Sequence, residues 1–183
     1  MGHDRLAWTV EESAIAYSCE GFDIVNQNVR LPEGGRAEFD YLSEPPSVVI
    51  LPFTTDGEVV MIEEWRQAVE RLNRGLPAGT AEPGDDDLAA TARRELTEET
   101  GYVADTLEPL VSVEPANGLA NTVHHYFVAT GCSPTGEQHL DEDETILVDT
   151  MPYEELLTRV RRGDLRDGRT VLGVLYYQMA RSE

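Results

Sequence analysis

Arg93-Arg94-Glu95-Leu96-Thr97-Glu98-Glu99-Thr100-Gly101-Tyr102 is the stretch whose reading decides the fold and the chemistry of this chain. A helix turns about 100° per residue, so Glu98 and Glu99, at i+3 and i+4 from Glu95, share with it an arc of roughly 100°. Ala89, Ala92 and Leu96 fall on the adjoining arc, where they can pack on a sheet. The spacing predicts a helix that opens at Asp85-Asp86-Asp87, whose carboxylates suit the positive end of a helix dipole. It should run to about Thr100 and stop at Gly101 in a left-handed cap. Such a helix buries one side and holds its acids at the edge of a cleft. Like charges at this spacing destabilise a helix by a few tenths of a kcal/mol per pair, and a divalent cation reverses that sign. Mg²⁺ prefers oxygen ligands and keeps several waters, whereas His or Cys would suit zinc. Acids number 35 in 183 residues, so a solvated face is the competing reading of the three carboxylates alone.

Working outward, residues 47–54 form a β-branched apolar run and read as a buried strand. Asp56-Gly57 signals a hairpin, with residues 58–64 as the returning strand. Leu76-Pro77-Ala78-Gly79 opens an irregular loop that continues through Pro83-Gly84. Beyond the helix, residues 107–114, 122–130 and 144–150 read as strands, with a polar loop over 131–143. Pro152 should open a helix that stops at Gly163, and a last helix spans residues 170–181. Ahead of the main domain, residues 22–31 look extended, Pro32-Glu33-Gly34-Gly35 reads as a turn and residues 36–42 return. The first 20 residues are weakly patterned. Pro45-Pro46 marks the boundary, which gives an N-terminal β extension over 1–45 and a main α/β domain over 46–183.

The charge balance limits the function further. There are 35 acidic and 14 basic residues, for a formal net charge of −21, and every basic residue is Arg. Such a surface repels nucleic acid and anionic membranes, so neither is an expected partner. It also repels itself at low salt, and a lysine-free acidic surface resembles that of proteins from salt-loving organisms. Val48-Val49-Ile50-Leu51, cut off by Pro52, is far too short to cross a bilayer. The start of the chain leads into no apolar segment of the signal type, and the expected setting is the cytoplasm. Cys19 and Cys132 have no metal-like spacing and read as two packed thiols.

Taken together, Gly79-x6-Asp86-x7-Arg94-Glu95-Leu96-x-Glu98-Glu99-x-Gly101-Tyr102 resembles the Nudix box. The family usually has five residues after the Gly and a Glu where Asp86 stands; here there are six. The resemblance implies an α/β/α sandwich with a mixed sheet. It implies that Glu95, Glu98 and Glu99 bind Mg²⁺, or Mn²⁺ in its place, and that Arg94 orients them. An Arg94–Glu98 pair at i,i+4 is also plain helix chemistry. Arg74-Gly75-Leu76-Pro77-Ala78-Gly79 is similar to a segment of ADP-ribose pyrophosphatases and related nucleotide-sugar hydrolases, in which the Ala carbonyl, here that of Ala78, is a metal ligand. Trp65-Arg66 resembles that group's aromatic-Arg pair, whose Arg contacts substrate. The run from His139 to Glu144 resembles its acidic loop, and Leu165-Arg166-Asp167-Gly168-Arg169-Thr170 its C-terminal signature. The N-terminal strands resemble the extension through which the group forms homodimers.

The resemblance implies attack of water on a pyrophosphate, with ADP-ribose giving AMP and ribose 5-phosphate. The alternatives are a nucleotide sugar such as GDP-mannose or UDP-glucose, and a non-catalytic sensor on the same fold. Isopentenyl diphosphate isomerase shares the fold, but neither Cys19 nor Cys132 sits in that enzyme's motif. Glu142 is the first candidate for general base and Glu144 the second, with Glu99 in that role if the loop does not close. Arg66 is the expected phosphate contact; for Arg71 and Arg74 a surface ion pair competes with that role. Phe39, Tyr41 and Trp65 either stack on a base or pack in a core. His124 and His125, in a strand pattern, read as structural, since hard cations prefer oxygen.

Overall fold

The computed structural model describes residues 5–182 other than 83, 86, 142 and 143. The chain divides into two compact units, residues 1–46 with 114–123, and residues 47–113 with 124–183.

The first unit is a three-stranded antiparallel sheet, β1 (Thr9–Ser18), β2 (Asp23–Arg30) and β3 (Arg36–Ser43), in that order. Residues 114–123 join it through the Leu42 N–H, which donates to the Leu119 carbonyl at 2.9 Å. Strand β1 was not legible in the sequence, because register shifts after Val10 and Ile15 break its period-two pattern. It also has no buried face, since all ten of its residues are exposed. Polar pairs hold its register instead: Asn28 Nδ2 donates to Glu12 at 3.1 Å, and Glu11 pairs with both Arg30 and Arg36.

The second unit holds an eight-stranded sheet. Its strands are β4 (Ser47–Thr54), β5 (Glu58–Arg66), β6 (Arg71–Gly75), β7 (Ala78–Thr80), β8 (Tyr102–Val103), β9 (Thr106–Val113), β10 (His124–Pro134) and β11 (Ile146–Pro152). The path is β11-β5-β4-β10-β8, with β6 on β5, β7 on β4 and β9 on β10. β4 and β10 are parallel and the other pairs antiparallel, so the sheet is mixed. Three helices cover it: α1 (Leu88–Thr100), α2 (Tyr153–Arg162) and α3 (Gly168–Ala180). Alternation along β4 feeds two cores. Val49 and Leu51 pack with Leu156, Leu157, Val160 and Val174 of α2 and α3. Val48 and Ile50 pack with Ala92 and Leu96 of α1. This is the expected α/β/α sandwich. Each such side chain, wholly buried, contributes about 1.5–3 kcal/mol.

Local chemistry explains the helix ends. Asp87 caps α1 by accepting the Ala90 N–H at 2.8 Å, and Gly101 ends it at φ 69°. In α2 the residues Tyr153, Leu156, Leu157 and Val160 make one buried stripe, and Arg159, Arg161 and Arg162 sit in the last turn, where cations suit the dipole. Three expectations change. β10 runs on to Pro134 through Gly131, at φ 66°, where a polar loop was expected. β7 forms where the sequence predicts irregular chain, and β6 where it assigns no element, because β4 and β5 supply their hydrogen bonds. The last helix starts at Gly168 rather than Thr170, since Asp167 caps it. No described helix is long and apolar enough to cross a membrane.

Candidate active site

The site is built where α1 meets β7. At Gly79 a Cβ would overlap the Glu95 carboxylate, so glycine lets the strand lie on that side chain without displacing it. One turn on, Glu99 is buried, and its Oε2 accepts the Ala78 N–H at 2.8 Å. Gln138 Nε2 donates to the Glu99 carbonyl at 2.6 Å and ties the segment before β11 to the same turn.

Arg94 is the centre of one half of the site. Its guanidinium donates to Asp85 at 3.2 Å through Nε and at 3.0 Å through Nη2. It also donates to the Thr80 carbonyl at 3.0 Å. Nη1 lies 2.8 Å from Glu98 and 2.9 Å from Glu95. The expected i,i+4 pair is therefore present, and the same guanidinium fixes Glu95. These hydrogen bonds hold the Asp85 carboxyl well below the usual carboxylate range and raise Arg94 in turn. Asp85, expected among the caps, is instead the fork's main partner, and its Oδ2 also takes the Thr91 hydroxyl at 2.9 Å.

The other half is short of positive charge. Burial pushes Glu99 up to about 8, and the charges of Glu95, Glu64 and Glu144 add to the rise. Burial likewise pushes Glu95 up to about 7, against the attraction of Arg94. Glu64, on β5, is raised by burial although Arg66 lies 2.5 Å away. Glu95, Glu99 and Glu64 thus share a partly dry place, with the exposed Glu144 adding charge from its edge. That donor set, all oxygen, fits a hard divalent cation. Among the described residues no three His, Cys, Asp or Glu side chains converge as a ready-made cage. Arg94 draws Glu95 and Glu98 one way while the Ala78 N–H holds Glu99.

The remaining expectations fall unevenly. Glu144 contributes charge to the cluster and accepts the Asp141 N–H at 3.2 Å. Glu142 lies outside the described residues. Arg66 engages Glu64, and the exposed Trp65 donates from Nε1 to Gln67 at 2.9 Å. Arg74 forms an ion pair with Asp149. Arg71 lines a groove of about 270 Å³ with Arg74, Glu63 and Arg166. Phe39 belongs to the first unit, with ring centroids 6.0 Å from Trp8 and 6.2 Å from Tyr41. His125 Nδ1 meets Ser112 at 2.8 Å, whereas His124 Nδ1 is buried without a partner. Sequence reasoning missed Glu64 and Gln138. The signal for Glu64 was its place beside Trp65-Arg66; Gln138 carried none.

Residues 43–171 match the NUDIX domain. The chain is 32% identical over 176 residues to the ADP-ribose pyrophosphatase of Bacillus subtilis (strain 168), covering 93% of this chain and 95% of that one. It is 33% identical over 153 residues to the methanol dehydrogenase activator of Bacillus methanolicus, covering 83% and 82%. Among solved structures, an ADP compounds hydrolase superposes with a TM-score of 0.81 at 21% identity, over 94% of this chain and 92% of that one.

Proposed function

The chain belongs to the NUDIX domain family, and from that premise we propose that it hydrolyses ADP-ribose to AMP and ribose 5-phosphate with Mg²⁺. The Bacillus subtilis relative is an ADP-ribose pyrophosphatase, which supports pyrophosphohydrolysis of a nucleoside diphosphate derivative as the activity class. The observation that carries the metal assignment is the pairing of Glu95 and Glu99. Both are drawn out of water at residues 78–79, and burial pushes both up toward neutrality, Glu95 in spite of Arg94 beside it.

Glu95, Glu98, Glu99 and the Ala78 carbonyl would hold the ion. When bound, the ion neutralises diphosphate charge and lowers the pKa of the attacking water. Everything else is done by the chain itself. Arg94 fixes the rotamers of Glu95 and Glu98, which keeps both carboxylates on one side of α1. Gly79 leaves room for Glu95. The general base is assigned to Glu142 first and Glu144 second; a base has to reach the attacking water directly or through one other. Arg66 would trade Glu64 for a phosphate oxygen, and Arg74, which pairs with Asp149, is the second candidate cation. Trp65, exposed at the end of β5, offers a face for the base.

Three further properties belong to the same proposal. The chain acts as a homodimer, supported by Trp8, Val10, Ile15 and Tyr17, which leave large apolar side chains exposed beside or on β1. It works in the cytoplasm, where nucleoside diphosphate metabolites are made. It tolerates high salt, because a lysine-free surface of net charge −21 needs screening. Turnover of ADP-ribose beside GDP-mannose and UDP-glucose, with and without Mg²⁺, tests the central claim. ADP-ribose should be cleaved fastest and only with metal, and Glu98→Gln should lose about tenfold or more. Equal rates on all three would overturn the substrate assignment, and metal-independent turnover would overturn the site.

A further inference from the structure

Residues 76–78 each give a backbone group to a different element. The Pro77 carbonyl accepts the Ile50 N–H of β4 at 2.9 Å, which is ordinary sheet chemistry. The Ala78 N–H goes to Glu99 of α1 at 2.8 Å and belongs to the site. The Leu76 N–H has a partner that no local rule supplies: Oγ1 of Thr170, 94 positions away on α3, at 2.9 Å.

Thr170 is wholly buried and its hydroxyl is committed. It donates to Asp167 Oδ2 at 2.6 Å. The same carboxylate oxygen accepts the Thr170 N–H at 2.9 Å as the cap of α3. Arg169 stands 3.5 Å from the other oxygen. A hydroxyl has one proton, so with that proton on Asp167 only its lone pairs face Leu76, and it must act there as acceptor. Gly75 completes the fit. A Cβ there would lie 2.9 Å from Thr170 Oγ1 and 3.1 Å from Asp167 Oδ2. Glycine lets the chain settle onto the pair.

We propose that Asp167 and Thr170 are positioning residues for hydrolysis: they pin Leu76 and so set the height of Ala78 and Gly79 against Glu99 and Glu95. This rests on the reading of those residues as the metal site. Neither residue touches substrate; both act through the strap formed by residues 76–79. The C-terminal signature of the chain is thereby part of the site.

The test compares Thr170→Val, Thr170→Ser and Gly75→Ala in the full chain. Three quantities are read: amide exchange at Leu76 and Ala78 without metal, Mg²⁺ affinity by calorimetry, and kcat and KM for ADP-ribose. Thr170→Val should speed exchange at both amides and weaken Mg²⁺ binding by about tenfold or more, as loss of an outer-shell partner does. kcat should fall with KM within about twofold, since uniform substrate binding is not removed. Thr170→Ser, which keeps the hydroxyl, should recover most of each loss, and Gly75→Ala should reproduce the valine variant by crowding the pair. If Thr170→Val does not fold, Gly75→Ala carries the same comparison. A folded variant with wild-type Ala78 exchange and wild-type Mg²⁺ affinity, changed only in melting temperature, would overturn the proposal. If the wild type cleaves nothing, the functional reading fails, and exchange at Ala78 still decides whether Thr170 controls the strap.

Discussion

The two sides of α1 treat the same chemical group in opposite ways. On the Arg94 side, Asp85 and Glu98 meet a guanidinium at hydrogen-bond distance, and the Asp85 carboxyl is held far down. On the far side, Glu99 has one backbone N–H and three carboxylate neighbours, and is pushed up to about 8. Glu95 stands between, touched by Arg94 yet raised to about 7 by burial. Asp85 needs nothing more and serves as the frame, while Glu98 is left partly exposed beside it. The unpaired acids are held where only a cation can satisfy them. A cluster of acids is therefore informative about metal only where its charge is left uncompensated.

The strongest way to break this contrast is Glu99→Gln. Its amide oxygen still accepts the Ala78 N–H, so the fold should persist while metal-dependent turnover falls by about 10²-fold or more; steady-state rates over a Mg²⁺ series would show it. Next, Arg94→Ala should strip the frame. Asp85, Glu98 and Glu95 lose their shared partner, and denaturant unfolding should shift to a lower midpoint than wild type, since carboxylates left without a cation repel one another. The third test is pH. Glu95 and Glu99 are raised above their usual value of 4.5, so the native state binds more protons than the unfolded one. Stability of the metal-free protein should then be highest below about 4.5, as far as these two acids are concerned, and fall as pH rises through 7 to 8. The fall should be on the order of 2 kcal/mol after coupling and screening. Saturating Mg²⁺ should flatten it, and so should Glu99→Gln; a metal-free melting curve with no difference between wild type and variant across that window would contradict the contrast. The smallest effect belongs to a surface pair. Arg159 and Glu155 meet at 2.6 Å on α2, both well exposed. Arg159→Ala should cost no more than about 0.5 kcal/mol, which separates pairing in water from pairing in the site.

Much of this was legible in ten residues. The i, i+3, i+4 spacing of Glu95, Glu98 and Glu99 placed them together, because helix geometry is local and periodic. Gly101 ended the helix where a left-handed cap was expected. Asp56-Gly57 turned the hairpin between β4 and β5, with Gly57 at φ 81°. Alternation along β4 revealed a buried strand but could not say that its two faces serve two helical layers. β1 escaped notice because pattern requires a buried face, and it has none.

By itself the sequence determined the helix, its cap, its acids and the order of strand and helix, since these rest on contacts within a few residues. Only the tertiary structure decided which acids go unpaired. Glu64 reaches the cluster through pairing of β5 with β11 and β6, Arg94 chooses Asp85 across a loop, and Thr170 meets Leu76 from 94 positions away. Burial and charge are sums over neighbours distant in the chain, and periodicity in one segment carries no information about those sums.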